Sequence, residues 1–220
     1  MLSSTIVSNT PSSGDRLTKT MLACGAVGGP LFVVTSVVEA FTRTGFDITR
    51  HPPSLLSLGD LGWIQIGNFI VSGLLLAAGA FGMRLASASR WGSTLIGVLG
   101  IAMVFGGIFV VDGGLGFPAG APAGVPSTVS WHAAIHLTAF AIGFASLVAA
   151  CAVFARAFWA ELRRGWTIYS ATVGIVCGAC FVVFMSGLSR GNLIPLWLAV
   201  IVGWTWISGV TLRTGSDQRT

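Results

Sequence analysis

Charged side chains are scarce in this sequence. Asp, Glu, Lys and Arg make up 9% of its 220 residues, whereas hydrophobic residues make up 54%. Water-soluble domains carry about a quarter charged residues, so the composition excludes an ordinary soluble fold. The apolar stretches are about as long as the roughly 20 residues that cross the hydrocarbon core of a bilayer. These features predict an integral membrane protein.

Several functional motifs are also missing. The sequence has no Walker-type loop, Rossmann fingerprint, nucleophile elbow or kinase signature, which argues against nucleotide hydrolysis. The four cysteines lie within apolar stretches and not in loops, so no disulfide framework is expected. Cys177 and Cys180 have the spacing of a redox motif, but apolar surroundings suppress thiol reactivity. Packing between helices is the alternative role for these two small residues.

The long apolar stretches predict an all-α fold, a six-helix transmembrane bundle. The polar segment 1–20 has no apolar core of its own, so we expect a disordered tail and no removable signal peptide. The membrane domain is predicted to cover 21–212, followed by a short polar tail over 213–220. The predicted spans are 21–41, 62–85, 91–111, 131–158, 166–186 and 193–212.

Basic residues are distributed unequally between the two sides of the predicted spans. Nine lie on one side and three on the other, so the positive-inside rule predicts that both termini are cytoplasmic. In a bacterial cell the host membrane would be the plasma membrane. The distribution argues for a lipid bilayer as partner and against nucleic acid. The nine are Arg16, Lys19, Arg84, Arg90, Arg156, Arg163, Arg164, Arg213 and Arg219, and the three are Arg43, Arg50 and Arg190.

The ionisable residues at the predicted outer ends suggest a functional site. His132 and His136 are four residues apart and share one helix face, which is the spacing of metal ligands. A zinc ion would need a further ligand from Asp112, Glu39 or His51. Without a metal, a histidine oriented by Asp112 would act as general acid or base, with Ser54 or Ser57 as a nucleophile. A purely structural role, in which the histidines and Asp112 fasten the loop 113–130, is the third interpretation.

Glu39 lies just inside the end of the first predicted span. Arg43, one helical turn later, is its expected partner. The alternative is a protonatable carboxyl group facing an apolar cavity, as proton coupling or carbocation chemistry requires.

Several segments together resemble one bacterial membrane family, known as domain of unknown function 998. They are RHPPSLLSLGDLGWIQIGNF, FVVDGGLGFPAGAP, SWHAAIHL, RGWTIYS and LAVIVGWTWIS. The resemblance implies a six-helix integral membrane protein. It also marks family-like positions at Arg50, His51, Ser54, Asp112, Phe117, Pro118, His132 and His136. The sequence departs from the family pattern at Gly113, where proline is usual, and at Ala133, where glycine is usual.

Two classes of function follow as hypotheses. In the first, an outward-facing polar pocket formed by Asp112, His132 and His136, with Glu39 and His51 nearby, binds or transforms a lipid-like or terpenoid molecule. The protein would then be a binder, a metal-dependent hydrolase or an acid/base cyclase. In the second, the protein is a transporter or an accessory protein for export or tolerance. A structural membrane protein is a third possibility.

Overall fold

The structure is a computed structural model that describes residues 13–188 and 191–217. In these ranges the chain forms six α-helices and one short 3-10 helix, Pro53–Ser57. All six α-helices are long and apolar enough to cross a membrane, which confirms the predicted all-α six-helix fold. They are α1 Ser13–Thr42, α2 Gly62–Leu85, α3 Arg90–Ile108, α4 Trp131–Ala160, α5 Arg164–Met185 and α6 Ile194–Asp217.

Both terminal helices extend beyond the predicted spans. Helix α1 begins at Ser13 and α6 continues to Asp217, so residues 13–20 and 213–217 are helical. A helix satisfies its own backbone hydrogen bonds, so it does not have to end where the hydrocarbon core ends. The other residues of the two predicted tails, 1–12 and 218–220, lie outside the described residues.

The helices close into a ring. Each helix packs against the next one along the chain, and α6 packs against α1. Glycines make the closest approaches, as small residues do between membrane helices. A Cβ atom added to Gly25 of α1 would lie 2.6 Å from the Cα atom of Gly79 in α2, and one added to Gly100 of α3 would lie 2.6 Å from the carbonyl oxygen of Gly73 in α2.

A polar cluster connects α1 and α2 within the membrane. Its members are buried and hydrogen-bonded to one another: Ser36, Gln65, Asn68 and Ser72. The amide of Asn68 also donates to the backbone carbonyl of Phe32. An unpaired polar group is costly in hydrocarbon, so these mutual bonds hold the two helices in one register.

The loops at the end of the bundle where α1 ends and α2 begins are packed onto the helices. This end is called the mouth end below, because a cavity opens there. Leu55 and Leu56 of the 3-10 helix are buried. Trp63, Trp91, Trp131 and Trp159 are exposed close to helix ends, where indole rings anchor a protein at the interface. Cys177 and Cys180 are free thiols, and Cys177 is buried with its thiol directed to the carbonyl oxygen of Ala199.

Candidate functional site: an apolar cavity within the bundle

The helix ring encloses a cavity of about 820 Å³. It reaches the surface at the mouth end, because exposed loop residues such as Arg50 and Val125 contribute to its lining. Below the mouth the walls are almost entirely apolar and rich in aromatic rings. Among the lining residues are Phe32, Phe69, Leu99, Met103, Phe140, Phe144 and Trp204. This arrangement can enclose the body of a hydrophobic molecule and leave one end close to water.

His136 places a polar atom in this apolar wall. Its side chain is 4% exposed, and its Nδ1 atom lies 2.9 Å from the carbonyl oxygens of both Gly106 and Phe109. Two carbonyl acceptors require the proton of the neutral ring to be on Nδ1. Nε2 makes no hydrogen bond within the described ranges, so it keeps a free lone pair in a ring that lines the cavity.

The end of α3 explains why His136 is held in this way. Helix α3 ends at Ile108, three residues before the predicted span end, and Phe109 adopts an extended conformation. The carbonyl groups in the last turn of a helix have no partner within the helix. His136, on the second turn of α4, supplies a donor to two carbonyls in this region. Its orientation is therefore fixed by backbone atoms and does not depend on a bound molecule.

Asp112 also lines the cavity, but its carboxylate is engaged at the start of α4. It accepts hydrogen bonds from the backbone N–H of Ser130 at 2.8 Å and from the Ser130 hydroxyl at 2.7 Å. These two bonds hold the pKa of Asp112 below its ordinary value, so the group is ionised at neutral pH. The Ser130 hydroxyl also caps α4 by accepting from the N–H of Ala133. Asp112 thus fastens the loop 113–130 to α4.

His132 lies beside Asp112 and outside the cavity lining. Its Nδ1 atom is 2.7 Å from the carbonyl oxygen of Val110, and its Nε2 atom is 4.0 Å from Oδ1 of Asp112. The two histidines share one side of α4, as predicted. Nδ1 of His132 faces the carbonyl of Val110, and Nδ1 of His136 faces those of Gly106 and Phe109 at the end of α3. Both histidines thus bond a backbone carbonyl through Nδ1, but only His136 lines the cavity.

Glu39 is buried, but it is not part of the cavity wall. Its Oε1 atom lies 3.2 Å from Nη1 of Arg43, which confirms the predicted local pair. Arg43 also donates to the carbonyl oxygens of Leu56 and Leu58. Oε2 of Glu39 is enclosed and has no partner among the described residues. The pair therefore ties the end of α1 to the following loop.

His51 connects the two loops at the mouth end. Its Nδ1 atom accepts from the backbone N–H of Asp47, so Nε2 carries the proton and donates to the carbonyl oxygen of Leu115 at 3.0 Å. The indole N–H of Trp197 donates to the His51 carbonyl. Neither His51 nor Ser57 lines the cavity, whereas Ser54 does.

The predicted zinc ligands do not form a metal centre. Within residues 13–188 and 191–217 there is no group of three His, Cys, Asp or Glu side chains that could hold a metal ion. Both oxygens of Asp112 accept from Ser130, and the described residues do not bring the predicted zinc ligands together as a group.

The sequence analysis did not predict most of the apolar lining, although the spacing of residues along α4 contains a signal for it. Ala133, His136 and Phe140 recur at intervals of three and four residues along α4, and Gly143 and Phe144 follow three and four residues after Phe140; all of them line the cavity. Such spacing marks one face of a helix, but it does not show whether that face meets a neighbouring helix or an open space.

The fold and the cavity define a multi-pass membrane protein whose helix ring surrounds an apolar chamber. The chain belongs to the family described as "Protein of unknown function (DUF998)", whose model matches residues 26–213. This match confirms the resemblance noted from the sequence segments. No curated protein and no solved structure is detectably similar to the chain.

Proposed function

We propose that this protein binds a lipid-like or terpenoid molecule, with the apolar body of the molecule in the cavity and its polar end near the mouth. The observation that carries the proposal is the cavity of about 820 Å³ with apolar walls. Its volume lies in the range of about 300–1,000 Å³ that is typical of small-molecule sites. A void of this size forfeits packing contacts between the helices, and a hydrophobic occupant would restore them.

In this proposal the cavity mouth faces the outer side of the membrane, and in a bacterial cell the host membrane is the plasma membrane. The two described basic residues at the mouth end are Arg43 and Arg50, whereas eight others lie toward the opposite end. By the positive-inside rule, this distribution supports a cytoplasmic position for that opposite end and for both termini. Arg190 and Arg219 lie outside the described residues. The eight are Arg16, Lys19, Arg84, Arg90, Arg156, Arg163, Arg164 and Arg213.

The contacts of the candidate site residues support binding better than a particular reaction. Asp112, His132 and Glu39 are engaged in bonds that fasten loops or helix ends. His136 has a free lone pair and lines the cavity. It is the residue we would assign as general base if the bound molecule is transformed.

Filling the cavity tests the proposal. A Cβ atom added to Gly106 would meet its nearest neighbour, the His136 ring, at 3.6 Å, so Gly106→Leu is expected to fold and to place its side chain in the cavity. Gly67→Leu is the matched control, because a Cβ atom at Gly67 of α2 has nothing within 4 Å.

The measurement is displacement of a lipophilic fluorescent probe from protein in nanodiscs, with empty nanodiscs as the blank, together with mass spectrometry of co-purified molecules. We expect wild type and Gly67→Leu to bind the probe and Gly106→Leu to lose most of the binding. Equal binding by all three proteins would contradict the proposed function.

A further inference from the structure

We infer that the molecule bound in the cavity carries a hydroxyl group, and that this hydroxyl donates its hydrogen bond to Nε2 of His136. The inference rests on the proposed function and specifies the class of ligand, a hydrophobic alcohol. Its basis is the free lone pair on a 4% exposed ring whose other nitrogen is bonded to two backbone carbonyls.

The wall around His136 makes this lone pair distinctive. The neighbouring lining includes Phe69, whose ring centroid lies 6.0 Å from that of His136, together with Gly106, Ala133 and Phe140. None of these side chains has a hydrogen-bond donor. An acceptor enclosed in an apolar wall costs free energy unless a donor meets it. Water or a ligand hydroxyl can supply that donor, and a hydroxyl arrives with an apolar body that also fills the cavity.

The position of His136 fits the shape of such an alcohol. His136 lies on the second turn of α4, close to the mouth, whereas Phe144 lies eight residues further along the helix and lines the deeper part. Eight residues of helix correspond to about 12 Å. A hydroxyl at His136 therefore leaves a depth of about 12 Å of apolar wall for the rest of the molecule.

A ligand with only acceptor atoms would fit less well. An ether or ester oxygen presents lone pairs to the lone pair of Nε2, whereas an alcohol pairs that atom. The indole N–H of Trp204, which also lines the cavity and has no partner among the described residues, is a donor for an ether oxygen but leaves Nε2 unpaired. Sites that are built to bond a hydroxyl discriminate strongly against analogues without one, because the protein group is left unpaired.

Two isomers provide the test. Octanol and heptyl methyl ether contain the same atoms, but only octanol can donate a hydrogen bond. Each is titrated against the fluorescent probe on wild-type protein in nanodiscs, with values corrected for partition into empty nanodiscs. We expect octanol to have a Kd lower than that of the ether by about 2- to 10-fold, the effect of one net hydrogen bond.

Two variants assign this preference to one residue. His136→Phe should bring the two Kd values together by weakening octanol binding, while ether binding persists. His132→Phe is the matched control: it also removes a bond from Nδ1 to a backbone carbonyl, but it lies outside the cavity and should keep the preference. His136→Gln, which retains both a donor for the carbonyls and an acceptor, should keep part of the preference if His136→Phe does not fold.

The outcomes separate this inference from the proposed function. Equal Kd values for the two isomers on wild type would overturn the hydroxyl assignment and leave cavity binding intact. The hydroxyl assignment is also overturned if His132→Phe abolishes the preference for octanol and His136→Phe does not. Failure of both isomers to displace the probe, with no effect of Gly106→Leu on probe binding, would refute the proposed function itself.

Discussion

The polar cluster between α1 and α2 allows a quantitative prediction for Asn68→Leu. Asn68 is 6% exposed, and its amide nitrogen lies 3.0–3.2 Å from three acceptors: the carbonyl oxygen of Phe32, Oγ of Ser36 and Oε1 of Gln65. Its amide oxygen accepts from the Ser72 hydroxyl at 3.1 Å. Leucine has nearly the same shape, so the substitution removes polar contacts without opening a large void.

The expected loss follows from the number of hydrogen bonds. Two of the acceptors, the carbonyl oxygen of Phe32 and Oγ of Ser36, lie on α1, whereas Gln65 and Ser72 lie on α2 together with Asn68. Hydrogen bonds between membrane helices average about 0.6 kcal/mol each, so the two that cross to α1 give about 1 kcal/mol of lost stability. The Ser72 hydroxyl loses its acceptor, which adds to this cost, whereas Ser36 and Gln65 stay bonded to each other.

Equilibrium unfolding in mixed micelles with a rising fraction of a denaturing detergent, followed by circular dichroism, measures this quantity. Thr138→Val is the matched control, because the exposed Thr138 hydroxyl bonds only to the carbonyl of Ala134 in its own helix. We expect that control to change the free energy of unfolding by less than about 0.5 kcal/mol. Equal stabilities of the two variants would refute the assignment of the cluster as a clamp between α1 and α2.

Two further predictions concern helix packing and acid stability. Gly79→Ala should destabilise the protein because the added methyl group would collide with the backbone of Gly25, whereas Gly67→Ala should have little effect because its surroundings are open; the same unfolding assay compares them. The two bonds from Ser130 lower the pKa of Asp112, so their stabilising effect is present above the unfolded pKa of about 3.9 and is lost as the pH falls through the lower folded value. Melting temperatures measured from pH 6 down to pH 3 should therefore decline less in Asp112→Asn than in wild type, and identical declines would contradict this role.

The number and type of the helices could be predicted because a bilayer imposes a simple requirement. Each span must contain enough consecutive apolar residues to cross the hydrocarbon core and must satisfy its own backbone hydrogen bonds. The helix ends were less predictable. Residues 13–20 and the last turn of α6 are polar enough to suggest tails, but backbone hydrogen bonds within each helix continue outside the apolar segment.

The candidate site was predicted in part. Helical spacing placed His132 and His136 on one side of α4, and the spacing of Glu39 and Arg43 predicted their ion pair. What spacing could not show is the direction of each side chain. His136 lines the cavity, whereas His132, one turn earlier, lies outside it. Asp112 is bonded to Ser130, at a separation of 18 residues that has no periodic signature.

The sequence by itself determined that this chain is a membrane protein of six helices in the DUF998 family, because hydrophobicity, helix length and motif order are properties of the linear chain. The tertiary structure decided what those helices surround. Three features depend on contacts between residues far apart in the chain. They are the packing of α6 against α1, the early end of α3 and the bonds from His136 to two carbonyls. Those contacts form the apolar cavity and give its wall a single free histidine lone pair among the described residues.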